Sequence, residues 1–201
     1  NVAFQGYQVI ADGFELTADE AELISSMDPA SAELIRNYVN GDTINGPVPR
    51  HDPSRKIIDF GVMSKAQASE MQAAFDHVEK HAKPEILEKA ATKPDGRPSS
   101  YAKWADRWWQ FWSPRPEMRQ AIAELDRVLA MARTSKVMYP VFVPAEWCLT
   151  DALVVFAYDD YEQFGLLTSV FHWWWAISPP GTGGSSLETR PRYTPTSSFQ
   201  T

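Results

Sequence analysis

A single cysteine, Cys148, in 201 residues excludes a disulfide framework and a zinc site built on cysteine pairs. No run of about 18 apolar residues occurs, so no segment reads as a membrane-spanning helix. The opening Asn1-Val2-Ala3-Phe4 has no initiator Met, no basic stretch and no apolar core. It does not read as a signal peptide, and it is what a piece of a longer polypeptide is expected to show. Internal repeats are missing too. Lys and Arg number 19 against 26 Asp and Glu, a formal charge of −7 that argues mildly against nucleic acid as a partner. Against these shortages stand 44% hydrophobic and 12% aromatic residues, a globular composition with material for a core. The length suits one large domain or two small ones.

The charge is unevenly placed. Residues 1–40 hold one Arg against seven acids, and residues 41–100 hold nine of each sign. Residues 101–140 carry seven basic and four acidic groups, net +3, whereas residues 141–201 carry two and six, net −4. A local basic segment in an acidic chain can still meet phosphate, because screening at physiological salt acts over about 8 Å. A solvated helical face would use the same residues.

Residues 4–16 read as a β-hairpin around Asp12-Gly13. Thr17 with Glu20 is a capping box opening a helix. Asp28-Pro29 opens another, with Ala32, Leu34, Ile35 and Tyr38 apolar, closed by Asn40-Gly41. Residues 42–54 form a proline-rich loop and Lys56 to Gly61 a strand. Ser64 with Gln67 caps a helix running towards Pro84 that buries Ala68, Met71, Ala74, Phe75 and Val78. The polar stretch 92–103 is the best internal hinge. After the tryptophan-rich Trp104 to Trp112 come a helix over 117–125 and strands at 128–131, 141–143 and 153–157. A helix over 160–176, capped by Asp159 or Asp160, precedes a Pro/Gly/Ser loop at 178–186. Scattered strands and helices without βαβ alternation predict an α+β fold.

Several groupings imitate catalytic sites. His77 and His81 share a helical face, but Val78 stands where a zinc protease needs Glu, and no third ligand is near in sequence. Ser178-Pro179-Pro180-Gly181 resembles the tetrad of amino-methyltransferases, yet Gly181 cannot stack on a flipped base. Gly181 to Ser186 lacks the Lys of a phosphate-cradling loop. Asp159, Asp160 and His172 have no nucleophile motif beside them. Cys148 is expected to pack near Trp147. Of the eight tryptophans, Trp104, Trp108, Trp109 and Trp112 are interleaved with Lys103 and Arg107. They could stack bases, although core packing is the commoner role. A binding module for protein or carbohydrate, using exposed tryptophans, is the alternative reading of this composition.

Glu188, Arg190 and Arg192 differ in kind. If 188–193 is extended, their side chains share one face, because strand side chains alternate. Arg forks onto guanine O6 and N7, and a carboxylate accepts from the cytosine amine. A surface row of ion pairs would need the same residues.

Larger patterns then line up. Phe4-Gln5-Gly6 and Gly13-Phe14 are followed by Tyr38-Val39-Asn40-Gly41 and Ile58-Asp59-Phe60-Gly61. Trp108-Trp109-Gln110-Phe111 comes before Arg115-Pro116, and Ser135-Lys136 before Phe142-Val143-Pro144. Phe164-Gly165-Leu166-Leu167-x-Ser169 leads to His172 and Trp174 or Trp175, and the chain closes with Arg192-Tyr193-Thr194 and Phe199. In this order they resemble the target recognition domain of MmeI-type single-chain (type IIL/IIG) restriction–modification enzymes and related adenine-N6 DNA methyltransferases. The resemblance covers residues 4–201 and implies one recognition domain over 1–201 of a larger cytoplasmic enzyme of a bacterium or archaeon.

It further implies that the domain reads double-stranded DNA and carries neither catalytic centre nor metal. S-adenosylmethionine would be bound by the methyltransferase domain of the same polypeptide. The family's Phe-Pro-aromatic-Pro ending would follow Phe199, whereas this sequence stops at Thr201. The family clusters its base readers before and within the Arg-Tyr-Thr element, here Glu188, Arg190 and Arg192. Phosphate contacts are expected from Ser135, Lys136, Arg50, Arg55, Lys103 and Arg107.

Overall fold

The computed structural model describes residues 1–46, 55–91, 93, 96–135, 138–177, 192–195 and 199. In chain order the first elements are β1 (Ala3–Gln5), β2 (Glu15–Leu16), α1 (Ala18–Met27), α2 (Pro29–Ala32), β3 (Ile35–Val39) and α3 (Gly41–Ile44). Next come β4 (Lys56–Ile58), α4 (Lys65–Glu70), α5 (Gln72–His81), α6 (Lys83–Ala90) and α7 (Pro116–Ile122). The last are β5 (Arg127–Ala132), β6 (Val141–Pro144), β7 (Cys148–Leu149), β8 (Leu153–Phe156), α8 (Tyr161–Leu167) and α9 (Val170–Ile177). The fold is α+β. The chain forms two compact units that each draw on separated segments: Asn1–Gly6, Val39–Pro53 and Glu117–Thr201 in one, Tyr7–Tyr38 and Ser54–Pro116 in the other. The stretch 92–103 lies inside the second unit.

The first unit is built on an antiparallel sheet of order β1-β8-β5-β6. All four residues of β8 are buried, which is why its sequence is an unbroken apolar run instead of an alternating one. Leu129, Met131, Val154 and Phe156 of the central strands pack with Tyr193, and Phe199 and Trp173 close over them. Gly6 is required here: a Cβ would lie 2.2 Å from the Thr150 carbonyl oxygen. The helix expected over 160–176 is two helices. Asp160 caps α8 by accepting from the Gln163 N–H at 2.8 Å, and the Thr168 hydroxyl donates back to the Phe164 carbonyl at 2.8 Å. The Ser169 hydroxyl then accepts from the His172 N–H at 3.1 Å and starts α9. A Thr-Ser pair offering local hydrogen bonds interrupts the helix where apolar periodicity alone would continue it.

In the second unit β2, β4 and β3 form an antiparallel ribbon beside α1, α2, α4, α5 and α6. Both expected capping boxes form, Thr17 with Glu20 and Ser64 with Gln67. Further readings of local structure need correction. The 4–16 hairpin does not exist: β1 pairs with β8, and Asp12-Gly13-Phe14 is a 3₁₀ turn. A long-range partner outcompeted the local turn signal. The helix from Pro29 stops at Ala32, and Ile35 to Val39 are a strand pairing with β4, as suits β-branched and aromatic residues. The helix towards Pro84 breaks at Met71, and Pro84 sits harmlessly in the first turn of α6.

Asp59 is buried in this unit, 3.4 Å from the Arg36 guanidinium, and accepts from the Gly61 N–H at 2.9 Å. The Arg36 side chain keeps 32% of its exposure while that of Asp59 keeps 1%. The two deletions are therefore unequal. Arg36→Ala takes the neighbouring cation from a buried carboxylate and is expected to cost about 3–5 kcal/mol. Asp59→Ala leaves a half-wet guanidinium and an unmatched amide, about 1–3 kcal/mol. Denaturant titration of both variants checks the order; equal losses would contradict it.

Candidate nucleic-acid interface

Where β5 ends, the chain continues through Arg133, Thr134 and Ser135 at the edge of the first unit. The Arg133 N–H donates to the Ala152 carbonyl at 2.8 Å, and its carbonyl accepts from the Tyr193 N–H at 2.7 Å. Thr134 and Arg192 form an isolated antiparallel bridge. Tyr193 is fully buried, edge-on to Phe156 at 5.9 Å, with its hydroxyl 3.1 Å from His172 Nε2. Residues 192 and 193 alternate as an extended segment requires: the tyrosine anchors inward and Arg192 is exposed.

Beside this edge lies α3. Its cap is Asn40, whose Oδ1 accepts from the N–H groups of Asp42 and Thr43, both at 3.1 Å. The start of α3 packs beside the sheet, with Ala132 and Ala152 Cβ atoms 3.8 and 3.9 Å from where a Cβ on Gly41 would stand, ordinary van der Waals contact. Together α3, the Arg133-Thr134 edge, the Asp151-Ala152 turn and Arg192 enclose a concavity of about 450 Å³. Its lining holds Arg133 and Arg192 as donors, Asp42 and Asp151 as acceptors, and Asn45 as both, which is the vocabulary of base-edge contacts.

Burial sets the titration behaviour behind the edge. It pushes the Tyr193 phenol far up and holds His172 below its ordinary value. In the second unit burial, and then the neighbouring His81, hold His77 down as well. A histidine with a depressed native pKa stabilises the fold above its unfolded value of about 6.5 and loses that stabilisation as pH falls through the native value. Melting at pH 8 and pH 5 should show a drop at the lower pH that His172→Phe reduces. An unchanged drop in that variant would contradict the reading.

The expected site residues fall out unevenly. Glu188, Arg190, Arg50 and Lys136 lie outside the described residues, as does the Ser178-Pro179-Pro180-Gly181 tetrad. Arg192 stands on the rim of the concavity and Ser135 next to its Thr134 wall. Lys103 is exposed. Arg55 is ion-paired with Glu15 and lies over the Tyr38 ring at 4.8 Å. Arg107 donates to the Phe111 and Trp112 carbonyls at 2.9 and 2.8 Å, and burial holds its guanidinium below the ordinary value. These two hold the second unit together.

Trp104, Trp108 and Trp109 are buried, so base stacking by them is ruled out and core packing takes its place. Cys148 is buried. Asp160 is the cap of α8, while the Asp159 carbonyl accepts from the Arg127 guanidinium at 2.8 and 3.0 Å. His77 and His81 face each other with ring centroids 4.5 Å apart, and no group of three metal-ligating side chains occurs among the described residues. Asp42 and Asn45 were missed, because 42–54 reads as loop. The signal was Asn40 one residue before Gly41, which caps a new helix instead of ending an old one.

These features define an α+β fold with a mixed-charge polar recess at the ends of the two central strands β5 and β8. No family profile and no curated protein matches the sequence. In fold the chain is similar to part of the type IIL restriction-modification enzyme MmeI, solved in complex with DNA. The likeness has a TM-score of 0.71 at 19% identity and covers 98% of this chain and 24% of that chain. This chain thus spans about a quarter of that chain's length. No helix among the described residues is long and apolar enough to cross a membrane.

Proposed function

We propose that this chain is a non-catalytic domain that reads double-stranded DNA sequence for an adenine-N6 methyltransferase of the restriction–modification type. The observation that carries the reading is a fold likeness running through 98% of the chain to a restriction-modification enzyme solved on DNA. The exposed Arg192 beside a recess of donors and acceptors adds to it. Glu188 and Arg190, four and two residues upstream in sequence, extend the same row in this proposal. Methyl transfer from S-adenosylmethionine belongs to another domain of the same polypeptide.

Phosphate contacts come from Lys103, Ser135, Lys136 and Arg50, and position the protein without specifying sequence. Titrating the complete enzyme with duplex at two salt concentrations tests this. Affinity should fall steeply with salt, and Lys103→Ala should lower the logarithmic slope by about one. A salt-independent affinity would contradict the proposal.

A second reading has one observation in its favour. On α9 Phe171 is 82% exposed, and Trp174 and Trp175 keep 57% and 51%. Exposed aromatics of this kind suit a protein or carbohydrate ligand. Trp174→Ser with Phe171→Ser should leave duplex affinity unchanged under the first reading and abolish binding to the true partner under the second.

A further inference from the structure

Resting on the DNA-reading proposal, we infer that sequence is read by two segments distant in the chain: Asp42 and Asn45 of the α3 segment contact base edges together with Arg192. The three side chains line one concavity of about 450 Å³. Asp42 and Asn45 are exposed, and neither side chain takes part in a hydrogen bond or ion pair among the described residues. The capping of α3 is done by Asn40, so Asp42 and Asn45 remain available to a ligand. Their backbone is held, because the Ile44 and Asn45 N–H groups donate to Asn40 and Gly41 carbonyls at 3.3 and 3.0 Å. A held backbone fixes where these side chains start, and their free polar groups leave donors and acceptors open to a base edge.

The chemistry of the recess points to bases over backbone. A phosphate-tracking surface offers cations and neutral donors, and a carboxylate there would repel the phosphate. Asp42 instead matches the exocyclic amine of cytosine or adenine. Asn45 matches the paired N6 and N7 of adenine, and Arg192 matches guanine. The recess, which Arg133 and Asp151 also line, thus offers Asp42 as acceptor, Asn45 as amide and Arg192 as donor, enough to discriminate neighbouring base pairs that differ in pattern.

The test uses the complete enzyme and a pool of duplexes with randomised sequence. Bound duplexes are sequenced for the wild type and for Asp42→Asn, Asn45→Ala and Arg192→Ala. All three residues are exposed, and melting curves should match the wild type. The expected result is that Asn45→Ala or Asp42→Asn relaxes preference at one base pair by roughly 5- to 150-fold. That position should differ from the one relaxed by Arg192→Ala. An unchanged motif in both α3 variants overturns the inference, and so does a uniform loss of affinity with the motif intact. Those two outcomes leave the DNA-reading proposal standing provided the wild type selects a motif; a wild type that selects none overturns both.

Discussion

Trp104→Ala is expected to destabilise the protein by about 3–5 kcal/mol, the range for removing a fully buried large aromatic. Trp104 has no exposed surface, and its Nε1–H donates to the Gln110 carbonyl at 2.8 Å. Its ring meets Trp112 edge-on at 5.9 Å and tilts against Tyr101 at 6.2 Å. Truncation would open a cavity and strip the Gln110 carbonyl of its donor. Trp104→Phe keeps much of the volume but loses the hydrogen bond and part of the packing, so its cost should be smaller, about 1–3 kcal/mol. Trp174→Ala, at an exposed position, should stay within about 0.5 kcal/mol. Urea titration of the three variants checks the ranking. A loss below about 1 kcal/mol for Trp104→Ala would mean that this tryptophan is not core.

The second large effect is on specificity. Exchanging charge as Glu188→Lys with Arg190→Asp in the complete enzyme should change one recognised base pair. Each bidentate contact discriminates by about 1–3 kcal/mol, and the swap replaces an acceptor with a donor and the reverse. The modified sites can be mapped by sequencing DNA from cells that express each form. An unchanged methylation pattern would remove these two residues from the reading row. The fold should tolerate the swap better than it tolerates Gly6→Ala, because Gly6 is packed against the Thr150 and Leu149 carbonyls.

Local chemistry made part of this structure readable in advance. Thr17, Ser64 and Asp160 announce helix starts because a side-chain oxygen three residues before a backbone N–H needs no tertiary help. Leu153 to Phe156 is a short unbroken apolar run centred on two valines, and it stood out as a buried strand. What misled was competition at long range. Ala3 to Gln5 pairs with a strand about 150 residues away, where turn chemistry at Asp12-Gly13 suggested a neighbour. Ile35 to Val39 has apolar spacing that suits a helix equally well, and the partner strand β4 decides it.

Arg192, expected from alternation to share a face with Glu188 and Arg190, is exposed and lines the recess. The placing of Asp42 and Asn45 beside Arg192 was not legible, because it depends on segments distant in the chain meeting at one recess. Nor could sequence separate Lys103, which is exposed, from Arg55 and Arg107, which are engaged within the protein. A charged residue's role depends on which acceptors folding brings to it.

The most direct measurement is selection of duplexes from a randomised pool by the complete enzyme, followed by the same selection with Arg192→Ala. The account predicts one enriched motif for the wild type and loss of preference at a single base pair in the variant. Recovery of the pool without enrichment, or an identical motif from both proteins, would contradict it.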